Sequence, residues 1–147
     1  MKTVFVSLLI CVFFLFAGHV YAEDVTATTV TDAEKETIVI QCTEIWHQYK
    51  ASLSEGDIEG ALKHVSESEK EYFRYALQSQ QRAVHLGEID LEYVRNNSVA
   101  RFKMLVKAEL MPGDDIPPGY SVGDTIESEG YVVFVRDPAG KWKIDFY

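Results

Sequence analysis

Residues Ile89–Leu110 read IDLEYVRNNSVARFKMLVKAEL, and this stretch decides the fold. Apolar and polar residues alternate on both sides of Asn96-Asn97, which is typical of two half-buried antiparallel strands. Asparagine tolerates the left-handed backbone that a two-residue hairpin turn requires. The stretch therefore predicts a β-hairpin with one buried face and one exposed face.

The register of this hairpin follows from the turn. A two-residue turn at Asn96-Asn97 places opposite charges together on one face and apolar groups together on the other. The predicted cross-strand pairs are Ile89–Met104, Asp90–Lys103, Leu91–Phe102 and Glu92–Arg101. A slip of one residue would destroy both sets of pairs, so the pattern fixes one register.

A second hairpin is predicted at the end of the chain, in EGYVVFVRDPAGKWKIDFY. Asp137-Pro138-Ala139-Gly140 supplies turn residues at suitable positions. The residues expected to share its inner face are Tyr131, Val133, Val135, Trp142, Ile144 and Phe146. Between the two hairpins, a stretch rich in Pro and Gly predicts a long loop, which either gates a binding site or simply connects the strands.

Three helices are predicted before the first hairpin. Thr31 and Glu34 form a capping box that opens the first, which ends near Gly56. Its apolar stripe is Ile38, Cys42, Ile45, Trp46, Tyr49 and Leu53. Asp57 caps a short second helix.

The third helix is expected to open with a Ser66–Glu69 capping box. Its predicted apolar face is Tyr72, Phe73, Ala76 and Leu77. The helix is expected to fray after residue 80 and to end at Gly87. Three helices followed by four antiparallel strands predict an α+β domain, with a curved sheet wrapped around the first helix.

The first 22 residues are typical of a signal peptide: Lys2, an apolar run, and small side chains before a cleavage point after Ala22. The alternative is an uncleaved N-terminal anchor. We expect residues 1–22 to be the signal, 23–30 a flexible linker and 31–147 one domain, in an exported, periplasmic or secreted protein without membrane attachment after cleavage.

The charge of the exported chain narrows the choice of partner. Cleavage leaves 13 cations against 23 acids, a net charge of −10, which disfavours nucleic acid and anionic membranes. Only Cys42 remains of the two cysteines, so an internal disulfide is excluded and the fold depends on its core. Cys42 lies on the apolar helical stripe, which favours a buried, inert thiol over a reactive one.

The chain resembles the NTF2-like superfamily, and in particular its small exported bacterial members. The resemblance lies in IWHQYKASLSEGDIEGALKHVSESEKEYF and YVVFVRDPAGKWKIDFY and extends over about residues 32–147. The matching residues are packing and turn residues: Trp46, Tyr49, Gly56, Asp57, Ala61, Leu62, Ser66, Phe134, Arg136, Asp137, Gly140, Trp142, Ile144 and Phe146. They identify a fold and carry no catalytic signature.

The resemblance implies a cone-shaped fold that can hold a pocket between helices and sheet. The candidate ligand-binding residues are Trp46, Tyr49, Tyr72 and His85. His47 is expected to be a solvated surface residue, and His64 to be a cation favourably placed at the C-terminus of the short second helix. No metal-ligand spacing and no cofactor motif is present, apart from a weak calcium candidate at Asp114-Asp115 with Asp124.

Three functions are consistent with this sequence. The first is a non-catalytic domain that binds a small apolar ligand or a protein partner. The second is an isomerase or dehydratase with Tyr49, Tyr72 or His85 in its pocket; it requires that Trp46, Phe102, Met104 and Trp142 leave the cone open. The third is a homodimer formed through the outer sheet face, where Leu105 is the only apolar residue expected.

Overall fold

Three helices precede four strands in the computed structural model, which describes residues 29–80, 82 and 84–145. The helices are α1 Asp32–Ser54, α2 Ile58–Leu62 and α3 Lys70–Ser79, and the strands are β1 Val84–Arg95, β2 Val99–Glu109, β3 Thr125–Arg136 and β4 Trp142–Asp145. The strands form one antiparallel sheet in the order β1-β2-β3-β4. The predicted α+β architecture is therefore confirmed. The predicted signal peptide and most of the predicted linker lie outside the described residues.

Helix α1 begins and ends as its sequence predicts. The Thr31 hydroxyl accepts from the Glu34 N–H at 3.3 Å, and the Glu34 carboxylate accepts from the Thr31 N–H at 2.8 Å. The helix ends just before Gly56, whose φ of +73° is the left-handed conformation that glycine adopts most easily. Its buried side chains are Ile38, Cys42, Trp46 and Tyr49.

The predicted capping box between Ser66 and Glu69 is wrong, and α3 begins later, at Lys70. The Ser66 N–H donates to the Ile144 carbonyl at 2.8 Å, and the Ile144 N–H donates to the His64 carbonyl at 2.8 Å. Val65 thus forms a parallel bridge with Ile144 at the outer edge of β4. Ser66 is held in an extended segment by the sheet, so it is not available as a helix cap.

The third helix is also shorter than predicted at its other end. It stops at Ser79, and β1 already begins at Val84. Gly87, expected to end the helix, lies inside this strand. The prediction failed because glycine marks both helix ends and strand bulges.

The register of the first hairpin is confirmed at its centre and shifted near its turn. The pairs Ile89–Met104, Asp90–Lys103 and Leu91–Phe102 form as predicted. Asn96 and Asn97 have φ of +49° and +51°, the left-handed conformation that asparagine tolerates. The loop has three residues and not the predicted two, because Arg95 pairs with Val99. Tyr93 takes the predicted place of Glu92 opposite Arg101, because a bulge between Leu91 and Tyr93 makes Glu92 an extra residue.

The second hairpin presents the opposite face to the one predicted. Phe134 pairs with Ile144, and Arg136 pairs with Trp142. The outer face therefore carries Tyr131, Val133 and Val135, and the inner face carries Val132 and Phe134. Residues 131–135 are apolar on both faces, so alternation cannot choose between them. Phe146, predicted on the inner face, lies outside the described residues.

The core lies between α1 and the inner face of the sheet. Trp46, Phe73, Phe102 and Phe134 are among its fully buried side chains. Val30, from the predicted linker, is also buried against it. Among the described residues, no helix is long and apolar enough to cross a membrane.

Candidate functional site

The interior of the fold is occupied by large side chains. The Trp46 and Tyr49 rings stack with their centroids 5.6 Å apart, and Phe73 meets the Tyr49 ring edge-on at 6.5 Å. On the sheet, the Phe102 and Phe134 rings pack edge-on at 5.4 Å. Met104 and Trp142 are buried in the same cluster. These side chains form the hydrophobic core between α1 and the sheet.

Among the described residues, the interior holds no carboxylate and no imidazole. Among the described residues, Ser66 is the only buried polar or charged residue apart from aromatic and thiol side chains. Burial raises the pKa of the Cys42 thiol to about 12 and raises the pKa of the Tyr49 hydroxyl further above its ordinary value. Neither group is ionised near neutral pH, and no buried carboxylate or imidazole accompanies them in the described chain.

Two buried donors in this interior have no partner among the described residues. They are the Tyr49 hydroxyl and the Trp142 indole Nε1. The Arg136 guanidinium lies over the Trp142 ring at 4.3 Å, a cation–π contact that does not engage Nε1. A buried polar atom without a partner costs free energy. The Tyr49 hydroxyl is therefore the interior atom best placed to bind a polar group of a ligand.

The four predicted ligand-binding residues are not brought together. Trp46 and Tyr49 are stacked and fully buried. Tyr72 is 54% exposed on α3, because the neighbouring Phe73 takes the core position. His85 is exposed on β1, because the chain is already a strand there and its side chain points away from the core.

A bulge in β1 connects the sheet to α1. Gly87 and Glu88 together face Leu105 of β2, where one residue would be regular. The Trp46 Nε1 donates to the Gly87 carbonyl at 2.9 Å, and the Lys50 ammonium reaches the same oxygen at 3.3 Å. A Cβ on Gly87 would lie 2.8 Å from the Leu105 carbonyl oxygen, so glycine is required here.

The Glu88 carboxylate lies beside the bulge and contacts two cations of α1. Lys50 Nζ lies 2.6 Å from one carboxylate oxygen, and His47 Nε2 lies 2.6 Å from the other. The hydrogen bond from Lys50, which has the larger effect, and the one from His47 hold the pKa of Glu88 at about 2. His47, predicted to be solvated, is exposed but engaged in this contact.

The bulge borders a hollow of about 550 Å³ on the outer face of the sheet, the face turned away from α1. Leu105, 51% exposed, lies in the middle of it on β2. Charged residues of β1, β2 and β3 line the rest of the hollow: Asp90, Lys103, Lys107, Glu127, Glu129 and Glu88, whose carboxylate is the one that contacts α1. His85 is at one end of this hollow. The sequence predicts Leu105 as an outward residue but does not indicate the hollow, whose lining includes the bulge residues Gly87 and Glu88.

The long loop is attached to the domain by an ion pair. The two terminal guanidinium nitrogens of Arg82, Nη1 and Nη2, contact the Asp114 carboxylate at 2.9 and 2.8 Å. The Arg82 side chain is only 14% exposed and the Asp114 side chain 9%. Asp114 also accepts from the Met111 N–H at 2.8 Å. Asp114, considered above as a weak calcium ligand, is thus engaged with a cation of the chain. The described residues contain no group of three or more His, Cys, Asp or Glu that could hold a metal ion.

This arrangement of helices and sheet recurs in solved structures. A proposed polyketide cyclase from Xanthomonas campestris pv. campestris is similar, with 15% identity and a TM-score of 0.51 over 73% of this chain and 90% of that chain. A proposed polyketide cyclase from Pseudomonas putida is similar with 19% identity and a TM-score of 0.49 over 71% of this chain and 90% of that one. No protein-family model and no curated protein sequence matches the chain.

These findings define the class of protein. The chain is an α+β domain with the NTF2-like fold, as its sequence motifs indicate. At such low identity the similarity shows the fold alone, and the fold hosts many unrelated functions. The function has to be argued from the residues of this chain.

Proposed function

We propose that this protein is a non-catalytic domain that binds a partner protein through the outer face of its sheet. The observation that carries this proposal is the filled interior: Trp46, Phe102, Met104 and Trp142 are all buried in one cluster. A cone occupied in this way leaves its outer surface for binding. The absence of an ionisable acid or histidine among the buried described residues supports a role without catalysis.

The chemistry of the outer hollow favours a protein over a small apolar ligand. Sites for small molecules are mostly lined by apolar and aromatic groups and enclose most of the ligand. Here Leu105 is the exposed apolar side chain, and acids and lysines form most of the rest of the lining. An apolar centre within a polar rim is the usual anatomy of a protein–protein interface.

The proposal also includes export of this protein from the cytoplasm. The N-terminal sequence has the features of a cleavable signal, and the remaining chain is strongly acidic. We propose that the protein acts in the periplasm or outside the cell after cleavage following Ala22. The mass of the protein isolated from the exported fraction tests this step: it should correspond to a chain beginning at Glu23, and a chain retaining residues 1–22 would contradict it.

Site-specific cross-linking in the cell that makes the protein tests the binding face. The photoreactive residue p-benzoylphenylalanine replaces Leu105 in one variant and Ile40 in another; Ile40 is 62% exposed on α1 and serves as the matched control. We expect illumination to link a defined protein to position 105 and not to position 40. No product at position 105, or the same products at both positions, would contradict the proposal.

An isomerase or dehydratase remains the second candidate, and one observation favours it. The Tyr49 hydroxyl is buried and has no partner among the described residues, so it could donate to a substrate oxygen. That function requires the aromatic cluster around Tyr49 to open. A small molecule retained by the purified protein and released by Tyr49→Phe would establish it in place of the proposal above.

A further inference from the structure

Two side chains of opposite charge in the outer hollow form no ion pair with any described residue. Asp90 and Lys103 are directly opposite one another in the β1–β2 ladder, and both line the hollow. Opposite residues of antiparallel strands have Cβ atoms about 5 Å apart, close enough for an ion pair. Yet neither side chain forms an ion pair or a hydrogen bond with any described residue.

The neighbouring charges on this face are already engaged. Arg101 contacts the Glu92 carboxylate at 2.9 Å, and Lys107 contacts Glu127 at 3.1 Å. Glu88 is engaged by the two cations of α1. Glu129, opposite Leu105, accepts from the Tyr131 hydroxyl and forms no ion pair with a described residue. A partner can therefore reach Asp90 and Lys103 without breaking an ion pair between described residues.

An apolar anchor lies next to this open pair. Leu105 is two residues beyond Lys103 on the same face of β2, and about half of its surface is exposed. The hollow thus offers an acid, a base and an exposed leucine on one face of two adjacent strands. Burying an aliphatic side chain against Leu105 would exclude water from the charges and strengthen their contacts.

We propose that the partner protein presents to this hollow an apolar side chain flanked by one basic and one acidic side chain. The basic group contacts Asp90, the acidic group contacts Lys103, and the apolar side chain packs on Leu105. This inference rests on the proposed function, since it names the chemistry of the same partner. Complementary charges of this kind select among partners and fix their orientation.

A second copy of this chain fits the hollow poorly. The outer face has a column of lysines on β2, between acidic columns on β1 and β3. If two copies stack Leu105 on Leu105 with their β2 strands aligned, lysine meets lysine in either direction: Lys103 faces Lys103 or Lys107 of the other copy. Like charges placed in this way are repulsive, so the hollow fits a different protein better than a second copy of this chain.

Peptide titration of the isotope-labelled chain tests the inference. The probes are the capped peptides Ac-Gly-Lys-Leu-Glu-Gly-NH2 and its reverse Ac-Gly-Glu-Leu-Lys-Gly-NH2, with Ac-Gly-Gln-Leu-Gln-Gly-NH2 as the uncharged control. We expect at least one charged peptide to shift the amide resonances of Asp90, Lys103 and Leu105. The uncharged peptide should bind about a hundredfold more weakly, because it lacks both charge-assisted hydrogen bonds.

Charge-neutralising variants locate the contact. Asp90→Asn and Lys103→Gln should each weaken binding of the charged peptide about tenfold. The matched controls Asp115→Asn and Lys141→Gln, both exposed and outside the hollow, should leave it unchanged. No shift with either charged peptide, or equal binding by the charged and uncharged peptides, would overturn the inference.

The cross-linking experiment separates this inference from the function on which it rests. If position 105 captures no protein, the proposed function fails. If it captures one equally well in the Asp90→Asn and Lys103→Gln backgrounds, the function stands and the inference fails. Capture of a second copy of this chain would also overturn the inference, and loss of capture in both variants is the expected result.

Discussion

The indole Nε1 of Trp46 donates a hydrogen bond to the carbonyl oxygen of Gly87 at 2.9 Å. This contact joins the centre of α1 to the bulge of β1, and the bulge in turn borders the outer hollow. One hydrogen bond therefore connects the filled interior with the proposed binding face. Residues on both sides of the contact should be sensitive to substitution.

Gly87→Ala should destabilise the protein. A Cβ at this position would lie 2.8 Å from the Leu105 carbonyl oxygen, so the backbone of β1 or β2 must move. We expect a loss of about 1 to 3 kcal/mol in the free energy of unfolding, measured by urea denaturation. Ile40→Ala, at an exposed position of α1, should change it by less than about 0.5 kcal/mol. Equal effects of the two substitutions would show that the bulge does not need glycine.

Asp114→Asn should loosen the long loop and remove part of the pH dependence of stability. Hydrogen bonds from Arg82, and then from the Met111 N–H, hold the pKa of Asp114 below its ordinary value. A carboxylate with a lowered pKa stabilises the fold above its unfolded pKa, and this contribution is lost as the pH falls through the folded pKa. The variant should therefore be less stable than wild type near neutral pH.

The measurement is urea denaturation at about pH 7 and about pH 3. The difference in stability between wild type and Asp114→Asn should shrink at the lower pH. Asp115→Asn is the control, because Asp115 is exposed and its carboxylate has no contact with a described residue. A difference that stays constant between the two pH values would show that the Arg82–Asp114 pair does not carry this dependence.

Tyr49→Phe should leave the protein at least as stable as wild type. The hydroxyl is buried without a partner among the described residues, so its removal relieves a desolvation cost of about 1 kcal/mol. The ring contacts with Trp46 and Phe73 are retained in the variant. A clear loss of stability by thermal or urea unfolding would indicate that the hydroxyl has a partner in solution, which the ligand-binding alternative requires.

The Cys42 thiol should be inert in the folded protein. It is buried on α1, and burial raises its pKa to about 12, so the thiolate is scarce near neutral pH. An aromatic disulfide reagent at about pH 8 should label the chain only after denaturation. Rapid labelling of the native protein would show that α1 moves away from the sheet. Cys42→Ser is the control for labelling elsewhere.

The sequence predicts one hairpin well and the other poorly, for a physical reason. Around Asn96-Asn97 the apolar and charged residues alternate, so only one register satisfies both faces, and the pairs Asp90–Lys103 and Leu91–Phe102 form as expected. Residues 131–135 are apolar on both faces, and the choice depends on what packs against them. Tertiary packing decides which face of residues 131–135 is buried, and the local alternation of apolar and polar residues does not indicate it.

The candidate site was less predictable than the fold. Trp46 and Tyr49 were expected on the inner face of α1 and are buried there. Their partners from other elements depend on where α3 ends and where β1 bulges, and Gly87 was assigned to the wrong element for this reason. The lining of the outer hollow includes the residues of that bulge, and no pattern along the chain indicates it.

Native mass spectrometry of the protein, purified gently from the cell that makes it, tests the central claim most directly. The claim is that the interior is filled and that binding takes place outside it. We predict the bare mass of the chain, with any bound species being a protein that cross-links at position 105. A reproducible small organic molecule bound inside wild type and lost in Tyr49→Phe would contradict the claim.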